Sequence, residues 1–332
     1  MKYYILILYI LFGYAAKAAY PLNTPFVISG VAQGTIYEIK YYAEKEVVKK
    51  KDIDSVFRVI DESMSLYLKT SLISTFNSPE TQSVVLDKHM QNVVKASLYY
   101  NKLTNGYFDV TIFPLLKIWG FGPEGFRNNP SKSQLDSIRK FVGINKISLK
   151  GKKLKKNNDK VSIDLNGIAQ GYSVDVLSNI LRDKGIKSFI VEVGGEIYCQ
   201  GQKPNGDSYK VAIQRPYSDR SASYKVILKD KAITTSGSYE KYRMVDGKPI
   251  SHHINPFTGK PITSNTISAT VIANSAMEAD ALDNYLMYLA PQEAISFIER
   301  LPHVEAYIIY SENNTLKELQ SSGFNNYIYK QH

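Results

Sequence analysis

Cysteine is almost absent from this sequence of 332 residues, in which Cys199 stands alone. A single cysteine excludes an internal disulfide and any metal cluster built on cysteine ligands. No cysteine follows the apolar run at the N-terminus, which also excludes lipid attachment at that point. We therefore expect a hydrophobic core to hold the fold together, and a chain of this length can form one.

Long apolar runs are lacking too. The apolar run at residues 3–12 is short for a membrane span. Lys2 precedes it and Ala16-Lys17-Ala18 follows, which is the pattern of a signal peptide and its cleavage site. We expect residues 1–18 to be a signal peptide and residues 19–332 to form one exported domain. The alternative is an uncleaved anchor, and no other transmembrane segment is expected.

Acidic residues are fewer than basic ones, 31 against 41, which gives a net charge of +10. Many of the basic residues lie at positions 150–160, a run rich in Lys, Asn and Asp. No aromatic residues are interleaved with these lysines, so the run is not typical of a nucleic-acid-binding surface. We expect it to form a solvated hairpin tip, and we expect no nucleic-acid partner.

The stretch from Asp164 to Tyr172 is the segment around which we expect the rest of the chain to be organised. Residues 161–165 alternate like a strand, Gly167 predicts a tight turn, and residues 168–181 carry apolar side chains at helical spacing. A helix that opens directly after a glycine turn points free N–H groups outward and can bind a phosphate. An ordinary strand-to-helix turn is the alternative.

Aromatic residues are plentiful, with 25 tyrosines. Residues 107–111 and 118–122 form loops rich in rings and glycine, with one carboxylate at Asp109. Such a loop suits the wall of a pocket for a flat heterocycle, or it covers the core. Tyr67, at the predicted end of a helix, could likewise stack on a ring or cover the core.

Two further segments carry polar groups. His252 and His253 are neighbours, and because alternate residues of a strand face opposite sides, at most one of them is expected to face a given site. Asp280 and Asn284 lie four residues apart on a helix that Ser275 should cap, so they share a face and offer oxygen ligands that suit Mg²⁺. The alternative is a solvated polar face, although most of this helix is apolar and a buried carboxylate needs a partner.

Together these segments resemble the ApbE family, the FAD:protein FMN transferases. The resemblance is carried, in family order, by residues 34–37, 64–67, 106–111, 115–122, 164–172, 194–197, 235–239, 251–259 and 278–282. It implies an α+β fold, a single ApbE-type domain of mixed sheets and packed helices with one cleft for FAD and Mg²⁺. It also implies export, to the periplasm or the outer face of the inner membrane.

The resemblance also implies roles for individual residues. FAD would be bound by Gln33, Tyr67, Tyr107, Phe108, Asp109, Asn166, Tyr172 and Ile254. Mg²⁺ would be held by the main-chain oxygen of Ala169, by Asp280 and by Asn284, and His252 is the family's functional histidine. The chain departs from the family at five positions. Methionine is common at Gln33, lysine at Gln170, aspartate at Glu196 and Asn255, and threonine at Asn284. We expect these departures to affect fine specificity more than the class of reaction.

The implied reaction is Mg²⁺-dependent transfer of FMN from FAD to a threonine hydroxyl of a target protein, with release of AMP. FAD is then a substrate, and the partner is an exported or membrane-bound acceptor protein with a flavinylated threonine. His252 is the candidate proton acceptor. The alternatives are an FAD pyrophosphatase that uses water, a non-catalytic flavin-binding module and a basic domain without a ligand.

Overall fold

A computed structural model describes residues 23–125, 129–216, 222–238, 242–245 and 248–330. The expected signal peptide at residues 1–18 lies outside the described residues and stays a prediction. Tyr239, at the end of the hydroxyl-rich stretch, lies outside them as well. Within these described ranges, no helix is both long enough and apolar enough to cross a membrane.

Strands and helices follow one another in mixed order along the described part of the chain. The helices are α1 (Lys50–Met64), α2 (Leu72–Asn77), α3 (Lys88–Leu103), α4 (Phe113–Ile118), α5 (Lys132–Arg139), α6 (Asn166–Asp183), α7 (Ala276–Leu286) and α8 (Pro291–Ile298). The strands are β1 (Phe26–Ala32), β2 (Thr35–Tyr41), β3 (Ser83–Val85), β4 (Ile147–Lys150), β5 (Lys153–Lys156), β6 (Phe189–Val193), β7 (Glu196–Gln200), β8 (Tyr209–Gln214), β9 (Ala222–Leu228), β10 (Lys231–Gly237), β11 (Tyr242–Val245), β12 (Lys248–Ser251), β13 (Thr266–Ala273), β14 (Glu305–Glu312) and β15 (Thr315–Gln320).

An eight-stranded antiparallel sheet, in the order β1-β2-β6-β7-β10-β13-β14-β15, forms the frame of the fold. Its strand β13 is buried throughout, because alternate side chains enter different cores. Ala269 and Val271 pack with the helices, whereas Ile272 packs with the β8–β9 hairpin on the other face. The predicted α+β fold is therefore confirmed.

Residues 161–165 are not a strand, contrary to the sequence prediction. All five are buried instead of alternating, and they belong to no ladder. Asn77 replaces a neighbouring strand, because its Nδ2 donates to the Ile163 carbonyl at 2.8 Å and its Oδ1 accepts the Ile163 N–H at 2.7 Å. The Asp164 N–H donates to the Val110 carbonyl at 2.8 Å. A side chain thus supplies hydrogen bonds that the sequence pattern assigned to a sheet.

The lysine-rich run at residues 150–160 is only partly solvated, contrary to the expectation that it forms a solvated hairpin tip. Lys153 and Lys155 of β5 are exposed, but Lys156 is fully buried. Its Nζ donates to the carbonyls of Phe76, Ser78, Asp159 and Val161 at 2.9, 2.9, 3.2 and 3.1 Å. Lys156 therefore ties the end of α2 to the segment that leads into α6.

The variant Lys156→Met should lower the free energy of unfolding by at least about 2 kcal/mol, because it leaves buried carbonyls without a donor. Urea denaturation followed by far-UV circular dichroism measures this loss. Lys155→Met, on the exposed side of the same strand, is the matched control and should change stability by less than about 0.5 kcal/mol. Equal stability of the two variants would contradict a structural role for the Lys156 ammonium.

Candidate active site

Helix α6 crosses α7 so closely that only glycine fits at position 171. A Cβ added to Gly171 would lie 2.3 Å from the Ala276 carbonyl oxygen and 2.8 Å from the Asp280 Cβ. The Gly171 N–H donates to Asp280 Oδ2 at 2.9 Å. One turn earlier, Gly167 departs from helical geometry with φ −81° and ψ 16°, and its carbonyl lies 3.5 Å from Asn284 Nδ2. The predicted phosphate turn and the predicted metal-binding helix therefore contact each other directly.

The first turn of α7 is fixed from two sides. Ser275 caps it as predicted, since its Oγ accepts the Glu278 N–H at 3.2 Å. From α6, the two carboxylate oxygens of Asp175 accept the N–H groups of Ala276 and Met277 at 2.8 and 3.0 Å. Burial raises the pKa of the Asp175 carboxyl to about 6. These bonds set the position of α7, and with it the position of Asp280.

Two carboxylates of α7 are almost completely buried. Asp280 is 4% exposed and Asp283 is 2% exposed. Asn284 Nδ2 donates to the Asp280 main-chain oxygen at 2.9 Å and to its Oδ1 at 3.1 Å. Ser236 Oγ donates to Asp283 Oδ1 at 3.1 Å. The prediction that Asp280 and Asn284 share one face is confirmed, and the predicted solvated alternative is wrong for Asp280.

Asp280 lines a cleft that most of the predicted site residues also line. Of the ten other candidates, seven line it together with Asp280 and Asn284. The predicted residues that line the cleft are Tyr67, Tyr107, Phe108, Asp109, Asn166, His252, Ile254, Asp280 and Asn284. They come from five separate parts of the sequence, so the fold brings together what the resemblance grouped.

Aromatic rings form one wall of the cleft. The Tyr107 ring lies 5.1 Å from Phe257 and 5.9 Å from Tyr288, between ring centroids. Below it, Asp109 is 9% exposed and accepts the N–H and the hydroxyl of Thr111 at 2.8 and 2.6 Å. Burial raises the pKa of the Asp109 carboxyl above its usual value. Wide rings beside a fixed polar group suit a flat heterocycle.

Both neighbouring histidines line the cleft, so the expectation that at most one would face it is wrong. Strand β12 ends at Ser251, and the backbone at 252–253 is irregular, so strand alternation does not apply there. The two rings lie against each other with centroids 4.1 Å apart. Ser251 Oγ is 2.7 Å from His253 Nδ1 and fixes the buried ring, while His252 is partly exposed and lies 6.3 Å from the Phe121 ring.

Three predicted residues do not line the cleft. Tyr172 points to α3, where its hydroxyl is 3.0 Å from His89 Nδ1. It follows the cleft-lining Gln170 by two positions, which places it on another side of helix α6. Gln33 Nε2 donates to Ser173 Oγ at 2.9 Å, and Ser173 Oγ donates to the Ala169 carbonyl at 2.9 Å. Gln33 and Ala169 are thus linked to each other through Ser173 of α6, the helix whose first turn lines the cleft.

The ApbE family model matches residues 33–308. The chain belongs to the ApbE family. It is 34% identical over 310 residues to the FAD:protein FMN transferase of Vibrio cholerae, covering 91% of this chain and 92% of that one. It is 32% identical over 312 residues to the enzyme of the same name from Escherichia coli K12, covering 91% and 89%.

Solved structures of ApbE proteins have the same fold. The flavin transferase ApbE from Vibrio cholerae superposes with a TM-score of 0.82 at 32% identity, covering 91% of this chain and 99% of that one. The apo form of the Pseudomonas stutzeri flavinyl transferase ApbE gives a TM-score of 0.83 at 29% identity, covering 91% and 96%.

Several cleft residues of this ApbE chain were not assigned a site role from the sequence. Glu196 follows the paired glycines at the β6–β7 turn, and Ser236 lies near the end of β10; both fall in segments that carry the family resemblance. Tyr288 lies one helical turn beyond Asn284, and that spacing was the available signal. Asp164 also lines the cleft, and so does Phe121 of the ring-rich loop that was expected to form a pocket wall.

The charge of the cleft is acidic, although the whole chain is basic. Asp109, Asp164, Glu196 and Asp280 line it, and among the residues that the structure describes no lysine or arginine does. Buried carboxylates are costly without a cation, and an anionic diphosphate would add to that cost. The electrostatics therefore favour binding of a cation together with an anionic ligand.

The donor set fits a hard cation. In the described part of the chain, no group of three or more His, Cys, Asp and Glu side chains is arranged to hold a metal ion. The available ligands are instead the Asp280 carboxylate, the Asn284 amide and main-chain carbonyls of the first α6 turns. Mg²⁺ usually takes one or two carboxylates and completes its shell with water and substrate phosphate, so these residues fit it better than they fit zinc.

The variant Gly171→Ala tests whether the α6–α7 crossing sets the site. Helix propensity alone would favour alanine by about 1 kcal/mol. We expect a net loss of about 1–3 kcal/mol instead, because the methyl group meets backbone atoms that cannot rotate away. Thermal unfolding measures the effect. Asn179→Ala, on the exposed side of α6, should change stability by less than about 0.5 kcal/mol; a stabilised Gly171→Ala would show that the helices can separate freely.

Proposed function

We propose that this chain transfers FMN from FAD to a hydroxyl group of a target protein and releases AMP. The observation that carries the proposal is the convergence, in one cleft, of an aromatic wall, the first turn of α6, buried Asp280 and His252. The named transferases to which the chain is about one-third identical over most of its length support the same reaction.

The first turns of α6 are suited to hold the diphosphate of FAD. A helix N-terminus concentrates N–H donors and the positive end of the helix dipole. Asn166 begins α6, and its own N–H is turned back to Asp164 Oδ1 at 2.7 Å. The N–H groups of Ile168 and Ala169 donate to the Leu165 carbonyl at 3.1 and 2.8 Å, so the cleft-lining Asn166 side chain and Gly167 are the parts of this turn that would meet the diphosphate. The aromatic wall at Tyr107 would receive a ring system of FAD, with Tyr67 at the mouth.

The reaction is a substitution at the FMN-side phosphorus. The acceptor oxygen forms a bond with this phosphorus, the bond from it to the bridging oxygen breaks, and AMP leaves with that oxygen. The hydroxyl proton passes to a base, for which His252 is the candidate. Its ring is partly exposed at the cleft and is positioned by the fixed His253 ring. A neutral imidazole is available as a proton acceptor near neutral pH.

The finer parts of the proposal concern the cation and the acceptor. Asp280 and Asn284, together with the Ala169 carbonyl, would hold Mg²⁺, whose charge would neutralise diphosphate oxygens as they develop negative charge. The acceptor oxygen would belong to a threonine of an exported or membrane-bound protein. The signal-peptide pattern at residues 1–18 supports a location in the periplasm or at the outer face of the inner membrane.

Incubation of the purified protein with FAD, MgCl₂ and an envelope extract from a strain that lacks its own FMN transferase tests the proposal. A fluorescent band that survives denaturing electrophoresis, with FMN located on a threonine by mass spectrometry, is the expected result. Released AMP should equal the FMN attached. Equal amounts of free FMN and AMP without any labelled protein would indicate a pyrophosphatase, and FAD binding without AMP would indicate a binding module.

The variant Asp280→Asn should lower the labelling rate on the order of 100-fold, because even residues behind the metal ligands commonly matter 10–100-fold in such sites. Initial rates at fixed FAD and varied MgCl₂ measure the effect, and higher MgCl₂ should partly restore the rate. Asp136→Asn, at an exposed carboxylate on α5, is the control and should keep the wild-type rate. Full activity of Asp280→Asn would remove Asp280 from the site.

A further inference from the structure

The side-chain nitrogen of Asn284 lies among oxygen atoms. Its Nδ2 is 2.9 Å from the main-chain oxygen of Asp280, 3.1 Å from Asp280 Oδ1 and 3.2 Å from Asp283 Oδ1. The carbonyl oxygen of Gly167, in the irregular first turn of α6, is 3.5 Å away. All four atoms are hydrogen-bond acceptors, and two of them belong to carboxylates. Oxygen atoms of these kinds are also the usual ligands of a hard cation.

The chemistry of these neighbours decides which end of the amide faces them. The amide oxygen of Asn284 carries only lone pairs, so the surrounding acceptors would repel it, whereas the NH₂ group offers two donors. Two donors are fewer than four acceptors, so the N–H groups are shared between several oxygens. The amide is therefore set with its nitrogen, and not its oxygen, towards Asp280 and Asp283.

Both carboxylates are held in place by groups other than Asn284. Asp280 Oδ2 accepts the Gly171 N–H at 2.9 Å, and Asp283 Oδ1 accepts the Ser236 hydroxyl at 3.1 Å. Both side chains are almost completely buried. A neutral amide stabilises two buried carboxylates less than a cation in the same place would, because charged partners form the stronger interactions. The position of Asn284 Nδ2 is therefore one that a cation would favour.

The amide can be reached from the cleft and has room to rotate. Asn284 is half-buried and lines the cleft. It packs against Gly167, where even an added Cβ would lie 3.6 Å from Asn284 Nδ2 and 3.8 Å from its Oδ1, which is ordinary contact distance. Turning the amide over exchanges nitrogen for oxygen in nearly the same volume. No steric barrier from the α6 turn therefore opposes the rotation.

We infer that the Asn284 amide and a divalent cation compete for the same oxygen atoms, so that Asn284 sets how tightly this chain binds the cation. The inference rests on the cation site of the proposed function. Asn284 becomes a ligand only after its amide turns over and presents Oδ1. That rotation gives up the N–H bonds to Asp280 and Asp283, and this loss weakens the net binding of the cation.

Threonine, which the family resemblance makes the common residue at this position, differs from asparagine in the way the inference requires. A threonine hydroxyl also offers an oxygen ligand, but it has one donor where the amide has two. It therefore satisfies fewer acceptors without a cation and gives up less when a cation binds. This chain should be more stable without a cation than a threonine variant of it, and it should bind Mg²⁺ more weakly.

The variant Asn284→Thr tests the inference without any substrate. Asparagine and threonine have similar helix propensities, so α7 should tolerate the exchange. In EDTA, the melting temperature of the variant should lie about 3 °C or more below that of the wild type, because the carboxylates lose N–H donors. Its melting temperature should then rise at lower MgCl₂ concentrations, and the fitted Kd for Mg²⁺ should be about 10-fold below the wild-type value.

Two further variants complete the test. Asn284→Asp offers oxygen atoms but no donor, so its melting temperature in EDTA should fall below that of Asn284→Thr, and MgCl₂ should raise it the most. Asn179→Thr makes the same amide-to-hydroxyl exchange on the exposed side of α6 and should match the wild type in both measurements.

Three outcomes would overturn the inference. An unchanged or higher Kd for Mg²⁺ in Asn284→Thr would show that the amide does not compete with the cation. Wild-type melting temperatures in EDTA for both variants at position 284 would show that the N–H groups do not stabilise the carboxylates. No response of any of these proteins to MgCl₂ would remove the cation from this site. Neither measurement uses FAD or an acceptor, so a failure to label any protein rejects the transfer reaction and leaves this inference standing.

Discussion

The contact between Gly171 and Asp280 is the constraint on which the site depends. A single missing Cβ lets α6 and α7 approach until a backbone N–H of one helix reaches a carboxylate of the other. This places Asp280 beside the irregular first turn of α6 and leaves it nearly inaccessible to water. Asp175 completes the arrangement from the same side by capping α7. The two helices therefore position each other, and the eight-stranded sheet supports both.

In the segment that leads into α6, side chains supply backbone hydrogen bonds that a neighbouring strand would usually supply. Asn77 forms hydrogen bonds with both the N–H and the carbonyl of Ile163. The Lys156 ammonium donates to the carbonyl of Val161 in the same segment and to the carbonyl of Phe76 in α2. A buried segment without a ladder would otherwise leave its polar groups unsatisfied. Asp164 and Asn166 reach the cleft because this segment is fixed over its whole length.

Much of the fold and site followed from local patterns. Helix α6 followed from its apolar spacing, the cap at Ser275 from its position before an apolar helix, and the shared face of Asp280 and Asn284 from helical spacing. The predictions that were wrong concern residues whose structure depends on partners distant in sequence. The buried state of Lys156 needs α2, and the missing strand at 161–165 needs Asn77, neither of which a local pattern reveals. The prediction for the paired histidines was wrong because β12 ends at Ser251, before both of them.

The acidic lining of the cleft links two binding equilibria. Because its lining is acidic and its described lining residues include no lysine or arginine, the cleft should bind a diphosphate more tightly when a cation is also bound. Cation and dinucleotide should then each tighten the binding of the other by the same factor, as reciprocity requires. Occupancy by FAD would consequently follow the free divalent-ion concentration of the compartment, and loss of the ion after turnover would help to expel the departing nucleotide.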